Sequence, residues 1–189
     1  MATPRSQQVG ILIIAIVMIL GTFGSFLAMA LSVQNNSTDQ QKQVSDYLAQ
    51  QKVAAQLNAD NSVPLTGYAA AAFDPKTVTA LTKEILTEGT GEVIKSTDSI
   101  NASYFGWTSD GKIFDSSQKK DAADAPITFS LGGVIKGWTE GLTGVKVGSV
   151  VKLIIPSDKA YGATGSGSIP ANAPLEFIVK INKIDNAAK

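Results

Sequence analysis

The run Leu131-Gly-Gly-Val-Ile-Lys-Gly-Trp-Thr-Glu-Gly-Leu142 decides how the rest of this chain of 189 residues is read. Glycines open and close it abruptly. Between them Ile135, Trp138 and Leu142 recur at i, i+3 and i+7, the spacing of one helical face. A helix of about two turns carrying Gly137 and Gly141 has poor intrinsic propensity. It is also shorter than the roughly 12–15 residues an isolated helix needs in water. Something must therefore hold its apolar face. The chain reads as strand on both sides, so the economical arrangement is a sheet wrapped over one short helix, with Trp138 at the centre.

The strands read outward from there. Lys83–Gly91 is a strand ending in a glycine turn, and Ser99–Thr108 is a strand with Ile100, Ala102 and Tyr104 on one face. Asp110-Gly111 predicts a tight hairpin turn, since glycine supplies positive φ. Ile113-Phe114 resumes a strand that breaks at Asp115-Ser116-Ser117. Ile127, Phe129 and Leu131 alternate into the helix, and Val151, Leu153 and Ile155 alternate after it. Pro156–Pro174 is a long Gly/Ser/Ala loop. Leu175, Phe177, Val179 and Ile181 close the chain as a half-buried strand. The expected fold class is α+β: an antiparallel β-sheet of about five strands curled around one short α-helix, preceded by an N-terminal transmembrane helix and a helical stalk.

Composition excludes several chemistries. Sixteen basic and sixteen acidic residues balance, without the basic excess of a nucleic-acid binder. There is no Cys and no His. Thiolate nucleophiles, disulfides, the Ser-His-Asp triad and histidine metal sites are all removed. The glycine clusters Gly89-Thr-Gly91 and Gly162–Gly167 lack the residues that complete a phosphate loop, and no pair of carboxylates suggests glycoside hydrolysis. Any catalysis must rest on binding, desolvation and hydrogen bonding, with no cofactor.

The N-terminal third is organised differently. Residues 1–8 are short and polar, with Arg5 and the terminal amine as positive charges. Residues 9–33 carry no charge, and 25 residues at ~1.5 Å each exceed the ~30 Å of a bilayer's hydrocarbon core. This predicts a transmembrane anchor with residues 1–8 in the cytoplasm. The competing expectation is a signal sequence cut after Ala28-Met29-Ala30. The apolar run is longer than a signal core, which favours the anchor. Residues 34–72 read as stalk and linker. Thr38–Ala59 is a helix with a thin apolar stripe, a spacer and not a core element. Asn61–Pro75 reads as linker, so the folded domain is expected over 73–189.

One ordered set of motifs remains: Tyr104-Phe-Gly106, Asp110-Gly-Lys-Ile-Phe-Asp-Ser-Ser117, Leu131–Trp138, Val147-Gly148, Ile155-Pro156, Ala160-Tyr-Gly-Ala-Thr-Gly165, Ile169-Pro170 and Leu175-Glu-Phe177. Over roughly Thr82–Asp185 this series resembles the FKBP-type peptidyl-prolyl cis–trans isomerases. The resemblance implies a pocket between helix and sheet that receives a proline ring. Carried over by motif, Trp138 forms its floor, with Tyr104, Phe114, Asp115, Ile135 and Tyr161 as the other catalytic residues. Asp115 faces the peptide, the Ile135 N–H binds a substrate carbonyl and the Tyr161 hydroxyl meets the peptide chain. Val134, Ile127, Ile169 and Phe177 contact substrate. Ile127 stands where the family commonly has an aromatic. Read as core alone, Trp138 and Phe177 need no function. Tyr161, in a glycine-rich loop, is harder to explain that way.

The implied partners are proline-containing polypeptides, macrolide-type FKBP ligands and, through residues 9–33, the membrane. The expected setting is the cytoplasmic membrane of a bacterium-like cell, with the domain on the extracytoplasmic side, helping exported proteins fold. The alternative is a non-catalytic FKBP-like module that tethers a partner.

Overall fold

The computed structural model describes residues 38–185. The expected anchor over 9–33 and its polar flanks lie outside them. Among the described residues no helix is long and apolar enough to cross a membrane.

Six antiparallel strands form one sheet: β1 (Thr82–Thr87), β2 (Ser99–Thr108), β3 (Ile113–Ser116), β4 (Ile127–Ser130), β5 (Val150–Ile155) and β6 (Leu175–Ile184). The order is β1-β5-β6-β2-β3, and β4 pairs with β2 beside β3. The long strand β2 thus shares one edge between two short partners. Phe105–Trp107 face β3 and Ser99–Ala102 face β4. Among the described residues two α-helices flank the sheet, α1 (Thr38–Asn61) and α2 (Lys136–Leu142).

Helix α2 lies against one face of the sheet. It has seven residues and buries Gly137, Trp138, Gly141 and Leu142. Its glycines are what allow the contact. A Cβ on Gly137 would stand 2.4 Å from Ile155 Cγ2, and one on Gly141 2.7 Å from Leu153 Cδ2. The low helix propensity of this run is therefore the cost of close packing on β5. Ile135 does not join the helical face. It is the N-cap, in extended conformation after a 3-10 turn at Leu131–Gly133. The principal core gathers here: Ile100, Ala102 and Tyr104 from β2, Leu153 and Ile155 from β5, Phe177 and Val179 from β6, and Trp138 and Leu142 from α2.

The β2–β3 turn keeps Gly111 at φ +80°, while Asp110 is not among the positive-φ residues. The Gly111 N–H donates to the Thr108 carbonyl, and the Thr108 N–H donates to that of Lys112. The loop is one residue wider than the two-residue turn expected.

Two expectations about the N-terminal side need correction. Residues 63–73, read as linker, form a strap across the opposite face of the sheet. Leu65 is buried there with Phe105, Trp107, Val150 and Ile178, and Tyr68, Ala70 and Phe73 pack around them. The indole N–H of Trp107 donates to the Ala71 carbonyl at 2.9 Å, and the Phe73 N–H to that of Ser109 at 3.0 Å. Under the strap Glu176 and Ile178 are buried, so this half of β6 is covered on both faces.

Helix α1 is also more than a spacer. Most of it is exposed, Tyr47, Val53 and Leu57 included. Its last three turns, however, bury Ala55 and Asn58, with Gln51 and Ala54 half-buried. These positions follow i, i+3, i+4 and i+7, a face made of small and polar residues, which the thin apolar stripe does not reveal. Backbone pairing then fixes the exit. Ser62 bridges Lys119, the Val63 N–H donates to the Gln118 carbonyl at 3.2 Å, and the Lys120 N–H to that of Asn61 at 2.8 Å.

Candidate active site

Between α2 and the sheet lies a cleft lined by Tyr104, Phe114, Asp115, Ile135, Trp138, Tyr161 and Phe177. The topology brings these together from five places. Tyr104 comes from the middle of β2, Phe114 and Asp115 from β3, and Phe177 from β6. Ile135 and Trp138 come from the start of α2, and Tyr161 from the loop after β5.

Trp138 forms the aromatic centre and is 1% exposed. Three rings meet it near edge-on: Tyr104 at 5.3 Å and 85°, Phe177 at 5.2 Å and 86°, and Phe129 at 5.0 Å and 63°. Phe114 stands edge-on to Phe177 at 5.5 Å. Edge-to-face contacts of this kind each add about 0.5–1.5 kcal/mol beyond burial. The Trp138 Nε1–H has no hydrogen-bond acceptor among the described residues. Gly106 keeps the aromatic wall in place, since a Cβ there would meet Phe177 Cε1 at 2.4 Å and Phe114 Cζ at 2.6 Å.

Asp115 is 1% exposed. A buried carboxylate is costly unless hydrogen-bonded, and this one accepts four donors. The Tyr104 hydroxyl donates to Oδ2 in a short contact. Oδ1 accepts the Ser116 N–H at 2.8 Å, the Asn58 Nδ2–H at 2.8 Å and the Lys119 ammonium at 3.3 Å. An ionised carboxylate offers about four lone-pair sites, so this shell is nearly full. Burial pushes the Tyr104 hydroxyl well above the usual tyrosine range, and the adjacent Asp115 charge pushes it further. Tyr161 is raised for the same two reasons, burial first. Burial lowers the Lys119 ammonium, against the opposing pull of Asp115.

Two more donors at the cleft are free besides the Trp138 indole. Neither the Tyr161 hydroxyl nor the Ile135 N–H finds an acceptor among the described residues. Tyr161 is half-buried and caps a 3-10 turn at Gly162–Thr164. The loop beyond it closes on itself through a bridge between Ser166 and Ile169.

All six residues carried over as catalytic line the cleft, together with Phe177. Val134, Ile127 and Ile169, expected to contact substrate, do not line it. Ile169 is buried in the core, and Val134 and Ile127 are half-buried against it. The sequence reading takes Phe129 as core with Trp138 and Phe177 but not as part of the site, and it missed Asn58 and Lys119 on Asp115. Phe129 was legible, since it alternates with Ile127 and Leu131. Asn58 lies 57 residues from Asp115, and no local pattern signals it.

A family model described as FKBP-type peptidyl-prolyl cis–trans isomerase matches residues 91–182. The FKBP-type peptidyl-prolyl cis–trans isomerase FkpA of Escherichia coli K12 is 40% identical over 111 residues, which cover 59% of this chain and 40% of FkpA. A probable FKBP-type peptidyl-prolyl cis–trans isomerase of Haemophilus influenzae is 42% identical over 106 residues, 56% of this chain and 43% of that protein. The crystal structure of a peptidyl-prolyl cis–trans isomerase from Pseudomonas syringae superposes with a TM-score of 0.51 at 26% identity, covering 81% of this chain and 99% of that one. The chain spans about two-fifths of the length of these bacterial curated relatives.

Proposed function

We propose that this chain, which belongs through residues 91–182 to the FKBP-type peptidyl-prolyl cis–trans isomerase family, is an enzyme that accelerates rotation about X–Pro bonds in polypeptides. One observation carries the reading. Tyr104, Phe114, Asp115, Ile135, Trp138 and Tyr161 meet around one apolar cleft that keeps three unpaired hydrogen-bond donors, the Trp138 indole among them.

The chemistry follows from what must be overcome. Amide resonance imposes a barrier of ~18–20 kcal/mol, and an X–Pro bond isomerises unaided in tens to hundreds of seconds. No bond to hydrogen breaks, so neither nucleophile nor general base is needed. The planar imide is the more polar form and depends on water at its carbonyl. A cleft walled by Trp138, Phe114, Tyr104 and Phe177 removes that water and favours the twisted form. The Tyr161 hydroxyl and the Ile135 N–H supply bonds to the backbone on either side of the ring. Such bonds help only where they strengthen as the imide twists. Asp115 is held by three donors on Oδ1 and by the Tyr104 hydroxyl on Oδ2. It holds Tyr104 and sets a fixed negative field at the cleft wall.

The substrates in this reading are exported or envelope proteins. Residues 9–33 anchor the chain, a reading supported by the uncharged apolar run, and the domain lies on the extracytoplasmic side, supported by Arg5 and the terminal amine ahead of that run. A macrolide of the kind named in the FK506-binding protein 4 of Gibberella zeae, 38% identical over 128 residues, competes for the same cleft. Exchange spectroscopy on an X–Pro peptide tests the activity directly. Sub-stoichiometric full-length chain is expected to broaden and exchange the cis and trans signals, and a macrolide to reverse this. A folded chain that binds the peptide without exchanging its isomers is a binding module. Protease access in intact cells tests the topology. Cleavage of the domain only after lysis would remove the extracytoplasmic placement.

A further inference from the structure

Helix α1 reaches the cleft through one side chain. Asn58 is 8% exposed and uses both ends of its amide. Nδ2–H donates to Asp115 Oδ1 at 2.8 Å, and Oδ1 accepts the Lys119 ammonium at 2.6 Å. A carboxylate on one side and an ammonium on the other fix which way the amide faces. Lys119 also donates to the Ser62 hydroxyl at 2.9 Å, and that hydroxyl donates to the Asn58 carbonyl at 2.7 Å. Lys119 therefore spends two of its three bonds on the end of α1 and the third on Asp115. Without α1, Asp115 loses Asn58 outright, and Lys119 loses the partners that aim it.

The opposite oxygen of that carboxylate holds the Tyr104 hydroxyl, and the Tyr104 ring stands edge-on to Trp138 at 5.3 Å. A chain of contacts thus runs Asn58, Asp115, Tyr104, Trp138. The helix also abuts the loop beyond Tyr161, where a Cβ on Gly167 would meet Ala55 Cβ at 2.8 Å. We propose that Asn58 is a positioning residue of the isomerase site. It fixes the Asp115 carboxylate, and through it Tyr104, so that the end of α1 is a working part of the cleft. This rests on the isomerase reading. It differs in assigning a role to a residue that lies outside 91–182, the stretch matched by the family model.

The test uses the full-length chain, with Asn58→Ala, Asp115→Asn, the double variant, and Gln56→Ala as an exposed control on α1. Two readouts are taken well below each variant's unfolding midpoint. The first is kcat/KM on an X–Pro peptide. Asn58→Ala is expected to lose about tenfold, mainly in kcat, because small misplacements of a site cost this much or more. In the Asp115→Asn background the same change should cost nothing further, the non-additivity expected of residues acting through one another. A purely structural residue would instead lower stability and subtract equally in both backgrounds. The second readout does not need activity. The chain has two tryptophans, so the indole N–H signals of Trp138 and Trp107 are an internal pair. Asn58→Ala should shift that of Trp138 and leave that of Trp107 in place. An unmoved Trp138 signal, or additive losses in kcat/KM, overturns the proposal. A wild-type chain without isomerase activity overturns the functional reading instead, and the indole signal then decides the positioning role alone.

Discussion

The two tryptophans occupy opposite faces of one sheet and are buried almost equally, Trp138 at 1% and Trp107 at 2% exposure. Their surroundings differ in kind. Trp107 is satisfied. Its N–H has the Ala71 carbonyl, Phe105 stacks on it at 5.1 Å, and the Lys152 ammonium, paired with Glu176, lies 5.8 Å from its ring centroid. Trp138 is enclosed by three edge-on rings, and its N–H has no acceptor among the described residues. The strap side uses its polar groups to close a surface. The α2 side leaves donors unused around a cleft. Burial alone does not distinguish a structural aromatic from a functional one. The distinction lies in whether the neighbouring polar groups are spent.

That contrast breaks most sharply at Trp138. Trp138→Ala removes the centre of the principal core and is expected to cost about 3–5 kcal/mol, with loss of the proposed isomerase activity, read by denaturant titration and peptide exchange respectively. Leu65→Ala, beneath the strap, should cost about 2 kcal/mol, the low end for such truncations because a surface strap can settle. It should leave kcat/KM unchanged, and a parallel loss of activity would show that the two faces are coupled. Trp107→Phe removes the bond to Ala71 and should cost about 1 kcal/mol, again with activity intact. Tyr161→Phe removes a hydroxyl that has no partner among the described residues. It should leave stability within about 0.5 kcal/mol and lower kcat/KM.

The pH dependence of stability sharpens the same contrast. Tyr104 and Tyr161, both at the cleft, have folded pKa values raised by burial and by Asp115. The folded chain keeps these protons after the unfolded chain has released them near its ordinary value of about 10. Their contribution is complete below about pH 10 and is lost as pH rises toward the folded values. Lys119, lowered by burial, acts in the opposite sense just below its ordinary pKa. Two tyrosines against one lysine give a net fall, so denaturation midpoints should decline above about pH 10, with the two phenol signals still protonated in the native state.

The sequence carried most of the α2 side and little of the strap side, for a physical reason. Ile100, Ala102 and Tyr104, and Leu175 to Ile181, alternate because a pleated strand with a buried face must. Gly137, Trp138 and Gly141 mark a helix pressed on a sheet. The strap is held by Leu65, Tyr68 and Phe73, which follow no period. Its signal lay in the strands it covers. Phe105 and Trp107 face away from Tyr104 yet are large and apolar, and Ile178 does the same in β6. Strands apolar on both faces announce cover on both sides. Asn58 gave no such sign, because a single long-range polar contact leaves no mark on hydrophobic patterning.

The most direct measurement is the X–Pro exchange rate of the full-length chain compared across Tyr161→Phe and Trp107→Phe, each with its unfolding midpoint. The unused donors at the cleft predict that the tyrosine variant loses rate while keeping its stability, and that the tryptophan variant loses stability while keeping its rate. Equal rates in wild type and Tyr161→Phe, or a rate lost with Trp107, would contradict the assignment of function to the α2 side of the sheet.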